Sequence, residues 1–310
     1  MDLTAISPAL LVASLMVGAT PLLLAALGEL VVEKAGVLNL GVEGMMIVGA
    51  ICGFAAAVQT GSPLAGFAFG ALCGAGLSMI FAVLTQVMLS NQVATGLALT
   101  LFGLGLSSLV GQGYIGIKPP PTVRLDLGPL SDIPFLGRAV FSHDWVVYGS
   151  IALTAAVWWF LNRSRAGLTL RAVGENHDAA HALGIRVVAI RFAAIAFGGA
   201  CAGLGGAYVS LVRVPQWTEG MTAGAGWIAL AIVVFASWRP ARVLVGAYLF
   251  GGVTVLQLNL QAAGSALPVE YLSMSPYVVT IVVLVVMSAR RGARSTAAPA
   301  SLGKPFHATV

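Results

Sequence analysis

The chain has 310 residues, of which 58% are apolar and 9% charged, with mean hydropathy +0.94 and formal net charge +5. A soluble domain carries roughly a quarter charged residues, and surface-to-volume scaling demands a large polar surface from any water-soluble globule. A soluble enzyme, a disordered chain and a disulfide-stapled secreted domain are therefore excluded, and most of the chain has lipid as its solvent.

Three cysteines, Cys52, Cys73 and Cys201, lie inside apolar runs and read as small packing residues, with no disulfide framework or metal spacing. No basic region precedes the first apolar run, so it reads as a retained span and not a cleaved leader.

A bilayer crossing needs about 20 apolar residues, each adding about 1.5 Å against a hydrocarbon core about 30 Å thick. Suitable runs lie near 8–27, 42–58, 64–89, 93–112, 144–162, 188–212, 224–238, 241–262 and 270–289. The expected fold is an all-α polytopic membrane protein with about nine spans, in a range of eight to ten. The run at 224–238 is short, and that at 270–289 contains Pro276.

Lys and Arg stay on the cytoplasmic side, so their placement orients the chain. Nine alternating spans put Lys34, the segment 163–187 with Arg191, the turn at Arg239 and Arg242, and the tail after 289 on one side. That side then holds twelve of the sixteen basic residues. This predicts an outside N-terminus and an inside C-terminus, although one miscounted re-entrant segment flips the N-terminal end. Residues 1–294 form one membrane domain. Segment 113–143, with Pro119, Pro120 and Pro121, is an ordered outer loop, and the Ala/Ser/Pro-rich tail 295–310 is expected to be disordered. Glycines at four-residue spacing (Gly66/Gly70/Gly74, Gly49/Gly53, Gly199/Gly203) predict close helix packing within the bundle.

No phosphate-cradling loop, zinc-protease helix or nucleophile elbow is present, so if the protein moves a solute uphill it does not hydrolyse the nucleotide itself. Aromatic residues are spread through the spans and not set in a basic patch, which leaves nucleic-acid binding without support.

Three stretches carry information. Gly28–Gly49 sets Glu29, Glu33, Lys34, Asn39 and Glu43 between two spans, interrupted by glycines. It reads equally as a solvated cytoplasmic loop or as a broken segment beside a path, because irregular backbone at membrane depth must be buried in protein or line water. In Gly167–Ile185, Asn176 caps a helix predicted over 177–183, Asp178 sits in its first turn, and Gly184 stops it. This helix is too short to span. It presents Ala179, Ala180 and Leu183 as a small apolar face suited to a partner's groove. His177 and His181 stand at i, i+4, but with no third ligand a metal site is not expected.

The stretches EKAGVLNLGVEGMMIVGA and LRAVGENHDAAHALGIRV, followed by GGACAGLGGAY and GWIALAIVVFASWRP, resemble the permease subunits of ABC importers of the branched-chain amino acid/simple-sugar permease superfamily. Within it they resemble the nucleoside, basic membrane protein-type branch. The resemblance covers roughly residues 25–265 and implies a type II-like permease architecture in a bacterial inner membrane. It implies a cytoplasmic ABC ATPase that holds ATP and Mg, with no cofactor on this chain. It also implies a second, homologous permease subunit, expected to form a heterodimer with this chain, and an extracytoplasmic substrate-binding lipoprotein or protein. The family's coupling motif maps onto Gly174, Glu175, Asn176, Ala179, Ala180, Gly184 and Ile185. His177 departs from it, standing where the family commonly has proline.

The third stretch, Trp217–Trp238, starts with Gly220, Gly224 and Gly226 ahead of Trp227. Two Gly-broken segments in opposite halves of a transporter point to a path near the membrane midplane. Gln257, Asn259 and Gln261 add a polar edge to the next helix, for inter-helix hydrogen bonds or for substrate. The expected path residues are Asn39, Glu43, Trp227, Gln257, Asn259 and Gln261, and the expected substrate is a nucleoside. The alternatives are a simple sugar or another small neutral solute, or a stand-alone secondary transporter. That last reading needs buried ionisable groups in mid-span, of which the sequence promises almost none.

Overall fold

Lipid offers backbone amides no hydrogen-bond partner, so the long apolar runs fold as helices. The computed structural model describes residues 8–123, 125, 128, 131, 133–262, 268, 270–271, 274–275, 277–279, 281–282, 285 and 298–307. Among these, seven helices are long and apolar enough to cross a membrane. They are α1 (Pro8–Lys34), α2 (Val42–Thr60), α3 (Pro63–Ala82, continued by a π-turn Val83–Val87), α4 (Gln92–Gly111), α6 (Trp145–Arg163), α9 (Val187–Tyr208, continued by Val209–Arg213) and α11 (Pro240–Ala262). Four shorter helices lie between them: α5 (Leu136–Val140), α7 (Arg165–Glu175), α8 (His177–Ala182) and α10 (Ala225–Phe235). The described residues contain no strand, and an isolated bridge joins Ile115 and Trp217. The seventh expected span, 224–238, is thus the eleven-residue α10. The ninth, 270–289, falls largely outside the described residues.

Helices α2, α3 and α9 meet through glycine. A Cβ on Gly203 would sit 2.1 Å from the Gly70 carbonyl oxygen, and one on Gly49 would sit 2.3 Å from Gly203 Cα. Without a hydrophobic drive between helices, this backbone-to-backbone approach supplies the dispersion contact that holds them. The predicted small-residue repeats are therefore internal packing. Helix α1 runs through the centre, with Leu23, Leu27 and Leu30 fully buried. Helix α4 closes one side and leaves Leu101, Phe102 and Leu109 on an exposed apolar face.

Lys34, Arg171, Arg191 and Arg239 collect at one end of the bundle. There the end of α1 meets α7, since Gly174 approaches the Lys34 carbonyl so closely that a Cβ would lie 2.1 Å from it. The turn between α10 and α11 joins them through Trp238, whose Nε1–H donates to Glu33 Oε2. At the opposite end Asp144 accepts from Val146 and Val147 at 2.9 and 3.2 Å, capping α6, and accepts from the Tyr208 hydroxyl at 2.9 Å.

The tail departs from the expectation of disorder. Residues 298–307 fold back on the basic end, where the Ser301 amide donates to the Gly174 carbonyl at 2.9 Å and Phe306 is buried. Low-complexity composition misled here, because Phe306 packs with Val173, Ala180 and Val187 while the Ser301 and Gly303 amides find the Gly174 and Gly36 carbonyls.

Candidate translocation path and coupling segment

The end of α1 and the start of α2 decide between the two readings of 28–49. Gly36, at φ +84°, ends α1 in the left-handed region. The chain then turns back into the protein, and the Asn39 amide donates to Glu29 Oε1 at 3.2 Å. Glu29 lies five residues before the end of α1, about 7.5 Å along its axis. Helix α2 therefore begins alongside the last turns of α1 and not beyond its end, and 35–41 is a broken segment that re-enters the protein and not a solvated loop. Glutamine and threonine of α4 hold it there: Gln92 Oε1 accepts from the Leu38 amide at 2.8 Å, and the Thr100 hydroxyl donates to the Leu40 carbonyl at 3.2 Å.

Asn39 is fully buried and its side chain is spent inside this turn. Its Oδ1 accepts from the Gly41 amide at 2.9 Å, and Nδ2 reaches Met45 Sδ at 3.4 Å. It shapes the turn and, at 0% exposure, its side chain faces no solvent-filled space.

Glu43 joins the two halves of the chain. Its Oε1 accepts from the Thr222 hydroxyl and from the Gly224 amide at 3.1 Å, and its Oε2 accepts from the Gly226 amide at 2.7 Å. The carboxylate thus sits on the N-terminus of α10, where unpaired amides and the helix dipole favour negative charge. Gly226 must be glycine, since a Cβ there would lie 2.5 Å from the Glu43 amide nitrogen. Gly224 takes φ +82° to start the helix. The two Gly-broken segments read from the sequence are in direct contact, and the indole of Trp227 is 37% exposed beside them.

The polar edge of α11 does not join this group. Its outer half packs on α1, with a Cβ on Gly251 falling 2.7 Å from Ala19 Cα. Asn259 donates to the Val255 carbonyl of its own helix at 2.8 Å and lines a cleft with Lys118, Asp144 and Arg213. Among the described residues that cleft includes none of Asn39, Glu43 or Trp227. Gln257 and Gln261 are half-buried on the same helix.

Buried ionisable groups do occur, at helix ends and not in mid-span. Glu29, Glu33, Glu43 and Arg191 are each no more than 4% exposed. Sequence reasoning assigned them to loops and ends because it could not see the chain re-enter. Each of the four has hydrogen-bond partners among backbone amides and carbonyls, an indole, a hydroxyl and neutral side chains.

The coupling segment forms much as its caps dictate. Asn176 Oδ1 accepts from the Ala179 amide at 2.9 Å, and Gly184 takes φ +79° after a helix that ends at Ala182, one residue earlier than predicted. Glu175 and Asn176 are exposed, while Ile185 is half-buried. One expectation fails: Ala180 is 1% exposed and packs with Val173, Val187 and Phe306. The face left open is Ala179, Ala182 and Leu183, the last 81% exposed. Among the described residues no group of three metal-ligating side chains occurs. The rings of His177 and His181 instead pack edge-on against Phe306.

A re-entrant segment locked to a half-helix, in a glycine-packed bundle of apolar helices, is the architecture of a membrane permease. Residues 11–287 match the family described as branched-chain amino acid transport system / permease component, and the chain belongs to that family. It is 46% identical over 253 residues to a Haloferax volcanii protein provisionally named glucose ABC transporter permease protein TsgC13, covering 80% of this chain and 77% of that one. It is 33% identical over 290 residues to the nucleoside ABC transporter permease protein NupC of Lactococcus lactis subsp. cremoris, covering 89% and 91%. It is also 33% identical over 299 residues to the guanosine ABC transporter permease protein NupQ of Bacillus subtilis, with the same coverage. In structure it is similar to a chain of an inward-facing ABC transporter provisionally classed as metal-chelate type, with TM-score 0.51, 17% identity, and 90% and 86% of the two chains covered. The protein is accordingly a multi-pass permease subunit of an ABC transporter, not an enzyme, and works with an ATPase.

Proposed function

We propose that this permease carries nucleosides inward across a cytoplasmic (inner) membrane, along a path bordered by the junction of Glu43 with α10. The observation that carries the reading is the half-exposed indole of Trp227 next to a carboxylate already saturated by three donors. A buried carboxylate already held by three donors on a helix N-terminus is a poor cation site, whereas an indole face stacks on a nucleobase, an interaction worth about 1–3 kcal/mol per base. The two named nucleoside permeases, which match over nine-tenths of their length, support this choice.

A second reading, glucose or another simple sugar, is favoured by the 46% identity to TsgC13. Both solutes are neutral and hydroxyl-rich. Uptake of labelled guanosine, challenged with excess unlabelled nucleosides, ribose and glucose, separates them. Guanosine uptake blocked by nucleosides and not by glucose supports the first reading, and labelled-glucose uptake without guanosine uptake supports the second.

In this reading α8 docks on a cytoplasmic ABC ATPase, which binds ATP and Mg, through Ala179, Ala182 and Leu183. A related but distinct permease chain completes the path as a heterodimer, and a substrate-binding protein or lipoprotein delivers solute from outside. Copurification of the complex with two different permease chains is expected, and an active homodimer would contradict that part.

A further inference from the structure

We propose that residues 298–307 form a strap, keyed by Arg191, that ties the coupling helix α8 to the re-entrant turn 35–41 so that the two move as one body. The inference rests on the reading of α8 as the ATPase-docking helix.

The strap crosses the basic end and bonds to each element it passes. The Ser301 amide and hydroxyl donate to the carbonyls of Gly174 and Glu175 at 2.9 and 3.2 Å, fastening the strap to the end of α7. The Gly303 amide donates to the Gly36 carbonyl at 3.2 Å, fastening it to the end of α1. Phe306 then fills the space beneath α8, with its ring 5.4 Å from that of His177 and 5.3 Å from that of His181.

Arg191, at the start of α9, lies under this crossing and is fully buried. Its Nε donates to the Ala35 carbonyl at 3.2 Å, and its Nη1 to Gln86 Oε1 at 3.2 Å and the Lys304 carbonyl at 3.3 Å. Its Nη2 donates to His177 Nδ1 at 3.1 Å. These four acceptors belong to four separate segments: the re-entrant turn, the π-turn after α3, the strap and α8. A guanidinium is the one side chain with enough rigidly spaced donors to hold such a node, and a lysine ammonium cannot reproduce its fork. Burying a cation on neutral acceptors is unfavourable compared with apolar packing, which sets this node apart from ordinary core. What it accomplishes is a rigid link from α8 to residue 35, four positions before Asn39. Motion of the docking helix then reaches the turn that shapes the path.

The test is amide hydrogen exchange on the complete transporter complex, with and without a non-hydrolysable ATP analogue. It compares the intact chain, a chain ending at residue 297, and the variants Phe306→Ala, Arg191→Lys and Arg191→Gln. In the intact complex the analogue should change exchange at both 177–183 and 35–41. In the truncated and Phe306→Ala complexes the change at 177–183 should persist, while that at 35–41 falls about fivefold or more, the low end of a coupling free energy. Arg191→Lys should fail nearly as fully as Arg191→Gln. An equal nucleotide-dependent change at 35–41 with and without the strap overturns the proposal, as does release of the ATPase on truncation, which would make the strap a docking element. No change at 177–183 in the intact complex overturns the docking reading of α8 instead.

Discussion

Glu43 Oε2 accepts a 2.7 Å hydrogen bond from the backbone amide of Gly226, 183 positions further along the chain. This contact closes a re-entrant turn from the first half of the protein onto a half-helix from the second. Both segments stop short of a full crossing, and each supplies what the other lacks: α10 has unpaired amides at its N-terminus, and Glu43 has a buried charge that needs donors.

Glu43→Ala should therefore strip the acceptor from the Thr222 hydroxyl and two amides at once. A buried donor left without a partner costs about 1–3 kcal/mol, so the variant complex should melt at clearly lower temperature and assemble poorly. Glu43→Gln keeps one acceptor oxygen and should assemble while transporting less. Thermal melting of the purified complex, with uptake normalised to it, checks both. Equal melting of Glu43→Ala and the parent would contradict the role given to the carboxylate.

The glycine seam between α2, α3 and α9 gives a sharper contrast. A side chain at Gly203 meets the Gly70 carbonyl at 2.1 Å, whereas one at Gly76 meets nothing within 4 Å. Gly203→Val should prevent accumulation of folded protein, since forced overpacking costs typically about 1–3 kcal/mol and backbone cannot move aside as a side chain can. Gly76→Val should accumulate normally. Membrane expression followed by size-exclusion chromatography reads the difference.

At the coupling segment the open face directs the choice of variant. Leu183→Asp puts a charge where an apolar residue is 81% exposed, and it should leave the fold intact while weakening ATPase retention about tenfold or more, as loss of an apolar anchor at an interface does. Ala180→Glu is the wrong probe, because Ala180 is buried under Phe306 and the variant damages the permease itself. Pull-down of the ATPase by each variant measures the distinction.

The strap should loosen in acid. Burial, and next the Arg191 guanidinium, hold His177 below its ordinary value of 6.5. Asp178 opposes them, while Lys304 and His307 in the strap add to the lowering. Neutral His177 offers Nδ1 to Arg191 and turns Nε2 toward Asp178 Oδ1, 3.5 Å away. Because the folded state resists the proton more than the unfolded one, this stability is fully present above pH 6.5 and is lost as pH falls below it through the depressed folded value. His177→Asn keeps an acceptor near the same place without titrating. Melting of the complex should fall less steeply from pH 7.5 to 5.5 in His177→Asn than in the parent, and identical slopes would refute the account.

Much of this was legible beforehand where local rules act alone. Asn176 and Gly184 bounded α8 to within a residue, because a cap oxygen and a left-handed glycine act over three or four positions. The four-residue glycine spacings marked real seams for a similarly short-range reason. Gly36, Gly224 and Gly226 flagged two breaks, but not that Glu43 would bridge them, since nothing local links positions 43 and 226. Arg191 was counted only as a basic residue for orientation. Its role as a node depends on Ala35, Gln86, His177 and Lys304 converging from four parts of the chain. Ala180 was placed on the wrong face because a six-residue helix has too little periodicity to orient itself, and the covering Phe306 came from a tail read as disordered.

The most direct test concerns Trp227. With Cys52, Cys73 and Cys201 replaced by alanine, Trp227→Cys should react with a membrane-impermeant, water-soluble thiol reagent in the assembled transporter. Guanosine should slow that reaction about tenfold, as expected when a bound solute occludes the site. A cysteine at 227 that reacts at the same rate with and without guanosine, glucose and ATP would place the solute's route elsewhere and contradict the account.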